Sequence, residues 1–501
     1  MRFRLADSPG ASAASLVLPA LVLIAAAFAG LVTAVLGSLA GYRAIYYVAV
    51  FALMVIGGVV AVTRAEPLRF VFLALIACFP IASALVPPGR FGLTVFDAVM
   101  FALTIGLIGK KLLASSTAGV PLFPTRSLLI GWLLGVPCVV FSQFPLWSLL
   151  SFSVGFAAYV FFVFALDELG RERGFERLVV LLSIVLLFMA AGLFVDRFLH
   201  VNLSLQGSNV NQLNYLGGRA VWRAAGFFQD PQKSGAYLAC MITFLLLLSI
   251  RGRFRGMKMR FVVWAATGAG LAALGTTISR SAILACLSIS GLAVFAFNRW
   301  SAAAKLFIAG SSMMLVVAAM TVAPVETWLS IAPAPVSERF LQMRADFKSR
   351  IDIWFATWEM FADHPITGIG FGSFRPYLMK TQPTVYDYYD IGSQAGITYI
   401  PDQPESGYLK ILYEGGIAGS IAVLLMVGAA IRRALAVIAG SKADSDARSE
   451  GIAALAGLVS LGVTFVTLFT VSDPRIAGIL AFLLAVIWHR SMGREHDTPK
   501  A

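Results

Sequence analysis

The sequence is short of charge, histidine and cysteine, and each shortage excludes something. Of 501 residues, 13% are charged and 59% are hydrophobic, whereas a soluble domain carries about 25% charged residues. A soluble globular chain is thereby excluded. His200, His364, His489 and His496 are scattered, with no His-Glu-x-x-His or comparable ligand spacing. Cys78, Cys138, Cys240 and Cys286 all fall inside apolar runs, with no Cys-x-x-Cys pair. That excludes a disulfide framework and leaves them as small core residues. No metal site and no cofactor are expected. Ten-residue segments of alternating polarity are missing, which excludes a β-barrel, and there is no internal repeat or inverted symmetry.

What the sequence has is a succession of apolar runs, each able to cross about 30 Å of hydrocarbon as a helix. The expected fold is an all-α integral membrane protein with about fourteen transmembrane helices. They fall near 16–37, 44–63, 70–86, 93–109, 127–142, 147–166, 178–195, 235–250, 261–275, 281–297, 305–323, 407–431, 451–471 and 476–489. The first run lacks a convincing cleavage site and is expected to stay as a span. Most of the 39 Lys and Arg residues fall in segments on one side, among them Arg171, Arg173 and Arg177, Arg251 to Arg260, and Arg432 with Arg433. The short loops of the other side carry only Arg43, Arg90, Arg280 and Arg475. The positive-inside rule then puts both termini in the cytoplasm. The net charge of +13 is mostly this orientation signal, so no nucleic-acid partner is implied.

Membrane helices over 1–195, an outside loop over 196–234, helices over 235–323, a large outside loop over 324–406, and C-terminal helices with a short cytoplasmic tail over 407–501 complete the expected organisation. The large loop opens with "SERFLQMRADFKSRIDIWFATWEMFADHP", in which Phe340, Met343, Phe347, Ile351, Trp354, Trp358 and Phe361 recur at helical spacing. An amphipathic helix ending at Pro365 is expected, lying on the membrane surface or covering a cavity of the bundle.

Polar residues gather on the outside segments. The hairpin "TTISRSA" supplies Ser279, Arg280 and Ser281 between two apolar runs, and "RAVWRAAGFFQDPQKSGAYLA" supplies Arg219 and Arg223 just before a span. The large loop supplies Arg350 and Asp352, and the next span is entered through "PDQPESGYLKILYEGGIAG". A charge at a membrane edge is expensive and is usually kept for a ligand or a partner; an arginine that snorkels to the headgroups is the plainer alternative for Arg280. Arg350 follows Phe347 by three and precedes Trp354 by four, which sets it along the apolar stripe.

The stretches "RAAGFFQDPQ", "SRSAILA", "RIDIWFATWEMFADHPITGIGFGSF" and "SGYLKILYEGGIAG", in that order with a large late outside loop, resemble the O-antigen ligase-like membrane proteins. That family includes the O-antigen ligases and the Wzy-type polysaccharide polymerases. The resemblance covers roughly residues 210 to 420 and implies an enzyme at the periplasmic face of the bacterial inner membrane. Such an enzyme transfers a glycan from a polyprenyl diphosphate to an acceptor hydroxyl, with inversion and without a metal. Its partners are then the lipid-linked oligosaccharide, membrane lipid and, for a polymerase, a chain-length regulator protein. A lipid diphosphate leaving group calls for fixed cations, and arginine is always charged and grips phosphate oxygens bidentately. Arg223, Arg280 and Arg350 match the arginines of the family's motifs and form the expected diphosphate clamp, with Arg219 as a further candidate and Ser279 and Ser281 in support.

A base is needed for the acceptor hydroxyl. Ligases of the family carry a histidine at the start of the late span, where this chain has Glu405-Ser406-Gly407-Tyr408-Leu409. Its absence favours a polymerase, and Glu405 stands at the matching position; Asp402 and Asp230 are rivals, and Tyr408 is a supporting residue. Glu414, in "LYEGG", is expected to orient an arginine or cap a broken helix, because an unpaired buried carboxylate is costly. The glycines of "GIGFGSF" lack the strand–helix setting of a dinucleotide loop and suit a turn. Tyr386, Tyr388, Tyr389 and Tyr399 suit either sugar contact or the headgroup region. Outside the enzyme class, a lipid-linked oligosaccharide flippase is the alternative, although it calls for cations along the middle of the membrane, where the spans of this chain are nearly charge-free.

Overall fold

The computed structural model describes residues 126–168, 173–200, 213–216, 219–228, 230–250, 256–297, 361–381, 406–442, 445–466 and 473–495, with the single positions 104, 203, 354, 358 and 404. The helices are α1 (Arg126–Val140), α2 (Pro145–Glu168), α3 (Arg173–Leu199), α4 (Pro231–Ile250), α5 (Met257–Thr277), α6 (Arg280–Phe297), α7 (Phe374–Thr381), α8 (Gly407–Gly440), α9 (Asp446–Thr464) and α10 (Pro474–Glu495). Apart from α7, each overlaps one expected span, and residues 467–471 of the span at 451–471 lie outside the described residues. The expected spans at 16–37, 44–63, 70–86 and 305–323, and all but Thr104 of 93–109, lie outside the described residues.

Five of these helices are long and apolar enough to cross a membrane. Large apolar side chains also point outward. Leu129, Leu133, Val136 and Val140 form an exposed stripe on α1, and Met257, Phe261, Trp264 and Leu271 form another on α5. Stripes of this kind suit contact with lipid. The helices are thus those of a membrane protein.

Helix α4 is central. It packs against α5, α6, α9 and α10, and nearly all of its residues are buried. Phe244 on α4 and Phe162 on α2 meet the ring of Phe482 on α10 edge-on. Along the rim, α3 packs on α5 and α8 on α1.

The chain departs from an all-helical course at one described place. Within the expected loop 196–234, β1 (Leu213–Leu216) pairs antiparallel with β2 (Arg219–Trp222), Leu216 opposite Arg219 and Leu213 opposite Trp222. The loop is also shorter than expected, since α3 runs on to Leu199 and α4 starts at Pro231. Asp230 sets that start: its carboxylate accepts from the Gln232 amide at 2.8 Å, and proline follows at the first helical position, where no amide is needed. Asp473-Pro474 starts α10 in the same way, with the Arg475 amide donating to Asp473 Oδ1 at 3.0 Å.

Helix α8 has 34 residues, about 51 Å at 1.5 Å per residue, well beyond the roughly 30 Å of hydrocarbon. It is broken at Gly416, whose φ of 59° and ψ of −159° belong to a backbone region open only to glycine. The loop 365–370 fills the break. Ile369 and Gly370 amides donate to the carbonyls of Tyr413 (3.0 Å) and Glu414 (2.8 Å), while the Ile417 and Ala418 amides donate to Pro365 and Ile366, both at 2.9 Å. The Cys138 thiol donates to the Gly415 carbonyl at 3.2 Å. The glycine turn expected in "GIGFGSF" is therefore a plug that satisfies the backbone of an interrupted membrane helix, as interior irregular backbone requires.

Of the expected amphipathic helix before Pro365, Trp354, Trp358 and 361–363 are helical, in agreement with its end; the rest lies outside the described residues.

Candidate active site

The turn between α5 and α6 is where Arg280 sits. Helix α5 stops because Ile278 adopts a left-handed conformation, φ 53°, its amide donating to the Gly275 carbonyl. A β-branched residue is uncommon there, and such strain is often held in place at functional sites. The Thr277 hydroxyl donates to the Leu274 carbonyl at 2.8 Å and accepts from the Ser279 amide at 3.2 Å. Arg280 is the first residue of α6, half-buried, with Ser279 buried and Ser281 half-buried beside it. Gly235 of α4 permits the close approach of this turn, since a Cβ there would lie 2.7 Å from Ser279 Cβ.

Arg223 comes to the same turn from a distant part of the chain. It is buried, and its Nε donates to the Thr277 carbonyl at 3.2 Å. The neighbouring Ala224 amide donates to the Thr276 carbonyl at 3.1 Å. The two segments expected to carry clamp arginines are thus joined by backbone and side chain. Arg219 lies in β2, facing Leu216 across the ribbon.

A buried ionic group adjoins this loop. Arg475 and Asp473 form a two-point pair, Nε to Oδ1 at 2.8 Å and Nη2 to Oδ2 at 2.7 Å. Lys233 Nζ stands 3.7 Å from Asp473 Oδ2. Burial pushes the Asp473 carboxyl up, but the Arg475 charge and hydrogen bonds, with Lys233, outweigh it and hold the pKa at about 2. The signal available in the sequence was the repeated helix start, Asp230-Pro231 and Asp473-Pro474, each with a basic residue within three positions of its aspartate.

Asp230, a rival for the base, caps α4. Glu405, Asp402 and Arg350 lie outside the described residues. Their chain neighbours meet, however: Trp354 Nε1 donates to the Pro404 carbonyl at 2.9 Å, and the Tyr413 hydroxyl donates to the Trp354 carbonyl at 3.1 Å. Tyr408 is exposed, its hydroxyl donating to the Gly462 carbonyl at 2.7 Å.

Glu414 does sit at a helix break, and its cationic partner is a lysine. Lys410 Nζ lies 3.5 Å from Glu414 Oε1, which also accepts from the Phe374 amide at 3.1 Å, so Glu414 caps α7. Beside it, Ser142 donates to the Ile369 carbonyl at 3.0 Å and Ser148 to the Phe371 carbonyl at 3.1 Å, which pins the plug to the α1–α2 turn. Among the described residues, no group of three His, Cys, Asp or Glu side chains is arranged to hold a metal ion.

No curated protein matches the chain. A protein-family model described as O-antigen ligase matches residues 265–424, a segment that holds the Arg280 turn, the glycine plug and the break in α8. Over that segment the chain is similar to the O-antigen ligase family.

Proposed function

We propose that the protein is a polysaccharide polymerase, a glycosyltransferase that joins polyprenyl-diphosphate-linked oligosaccharide repeat units at the periplasmic face of the bacterial inner membrane. The product would be O-antigen, capsule or exopolysaccharide. The family match supports a glycosyltransferase-like enzyme acting on lipid-linked oligosaccharides in a membrane. The observation that carries the reading is the hydrogen bond from Arg223 to Thr277, which brings one expected clamp arginine to the turn that presents another.

In this reading Arg223 and Arg280, with Arg350, hold the donor diphosphate and stabilise the charge that develops as it departs. Glu405 takes the proton from the acceptor hydroxyl, on the sugar face away from the leaving group, which gives inversion without a metal. The Trp354–Pro404 hydrogen bond supports this arrangement, because it joins the chain neighbours of Arg350 and Glu405. Lipid-linked glycans of cells carrying Arg280→Ala, at matched expression, provide the test: single repeat units accumulate and long polymer disappears.

A second reading, ligation of a finished glycan onto lipid A core or protein, is favoured by the description of the matched family. It predicts instead that full-length polymer stays on its lipid in the same variant. A normal profile removes Arg280 from the site.

A further inference from the structure

The segment from Arg223 to Phe228 is buried, so its backbone polar groups need partners within the protein. Besides the Thr276 carbonyl of α5, which accepts from the Ala224 amide, three further helices supply them. Asp196, at the end of α3, accepts from the Ala225 and Gly226 amides, each at 2.7 Å, and from Trp222 Nε1 at 2.7 Å. Ser234 of α4 donates to the Ala225 carbonyl at 2.5 Å. Arg475 of α10 donates from Nη1 to the Phe227 carbonyl at 2.9 Å, and its guanidinium carbon lies 4.1 Å from the centre of the Phe228 ring.

Arg475 is only 2% exposed. Its Nε and Nη2 are engaged by Asp473 and its Nη1 by the loop. It is an arginine committed to protein, and the loop it grips opens with Arg223. A guanidinium held at two points by a carboxylate is fixed in direction as well as in place, which an ammonium cannot reproduce.

We propose that the Asp473–Arg475 pair is a positioning brace for Arg223: it fixes the 223–228 loop from the α10 side and so sets the approach of Arg223 to Thr277 and the Arg280 turn. The proposal rests on the diphosphate-binding role given to Arg223 above. Both brace residues lie beyond residue 424, where the family match ends, so the last helix becomes part of the site's support. A small displacement of a positioned group is enough to impair a site built on geometry.

The test is a mutant cycle on the full-length protein in detergent, with undecaprenyl diphosphate as the binding probe and thermal melting as the check on folding. The four members are the unmodified protein, Arg223→Ala, Arg475→Lys and the double variant. Arg475→Lys is expected to weaken probe binding about tenfold when Arg223 is present and less than about twofold when it is absent, the mark of coupled residues. Equal losses in both backgrounds overturn the brace while leaving the role of Arg223 intact. If Arg223→Ala alone leaves probe binding unchanged, the diphosphate role falls and the brace with it. Should Arg475→Lys fail to fold, Phe228→Leu replaces it in the cycle, because it removes the stacked ring and keeps the ion pair; the same coupling is expected and the same additivity overturns it.

Discussion

Arg223 Nε donates to the carbonyl oxygen of Thr277 at 3.2 Å, across 54 positions of sequence. Thr277 is the last residue of α5, and a helix leaves its final carbonyls without partners inside the helix. The arginine therefore satisfies a helix end at the turn that leads into Arg280. In the diphosphate-binding role proposed above, the same guanidinium also meets the donor.

Arg223→Lys separates these two duties. Lysine keeps the charge but has a single ammonium, unable to hold Thr277 and grip an anion with a planar fork. Transfer activity in isolated membranes should fall by about 10²-fold, the usual scale for losing one donor that stabilises developing charge. Near-normal transfer would mean that charge alone matters at this position.

The depressed pKa of Asp473 predicts a pH window. Its carboxylate is held at about 2 against 3.8 normally, so it contributes stability above about pH 4 that disappears as pH falls through 2. The shift corresponds to on the order of 2 kcal/mol. Asp473→Asn keeps a side-chain oxygen to cap α10 but loses the charge, so it should melt below the unmodified protein at neutral pH. That gap should narrow as acid approaches pH 2, because protonation then removes the same charge from the unmodified protein. A gap that is constant from pH 7 to pH 2 would show that the ion pair is not its source.

The membrane helices were legible because a long apolar run leaves the backbone little choice in lipid. Starts and stops were less so. In the fold Asp230, a base candidate from sequence, caps α4, and the Asp-Pro step carries that capping information locally. From sequence, Glu414 in "LYEGG" reads as the partner of an arginine or the cap of a broken helix; it sits at the break in α8, with Lys410 as its cation. What filled the break was not legible, because the partners of Tyr413, Glu414, Ile417 and Ala418 are backbone groups of residues 365–370, and backbone pairing leaves no side-chain pattern. Arg475 was hidden for a related reason. Its reach to Phe227 spans 248 positions, and the local Asp-Pro step marks a helix start without indicating that distant partner.

Two glycines of α8 make the break testable. Gly416 has positive φ, and a Cβ there would meet the Gly368 amide nitrogen and the Ile366 backbone; Gly428 is helical with open space around its Cβ position. Gly416→Ala should cost about 1–3 kcal/mol in backbone strain alone, and more from displacement of the plug. Gly428→Ala should be neutral or slightly stabilising, by up to about 1 kcal/mol, since alanine is the better helix former. Comparable melting temperatures for the two variants in detergent would contradict the broken-helix geometry.

Lys410 and Glu414 are both nearly buried, with side chains 6% exposed, and this makes their order of removal informative. Lys410→Met leaves the Glu414 carboxylate without its lysine in the bundle, a change that typically costs about 3–5 kcal/mol. Adding Glu414→Gln removes that stranded charge and keeps an oxygen for the Phe374 amide, so the cap on α7 survives. The double variant should accordingly melt above Lys410→Met alone and recover at least half of the loss. A double variant less stable than either single one would show that the carboxylate is held mainly by other charges, and that Lys410 is there to pack its stem against Phe374, whose ring centre lies 6.0 Å from the ammonium.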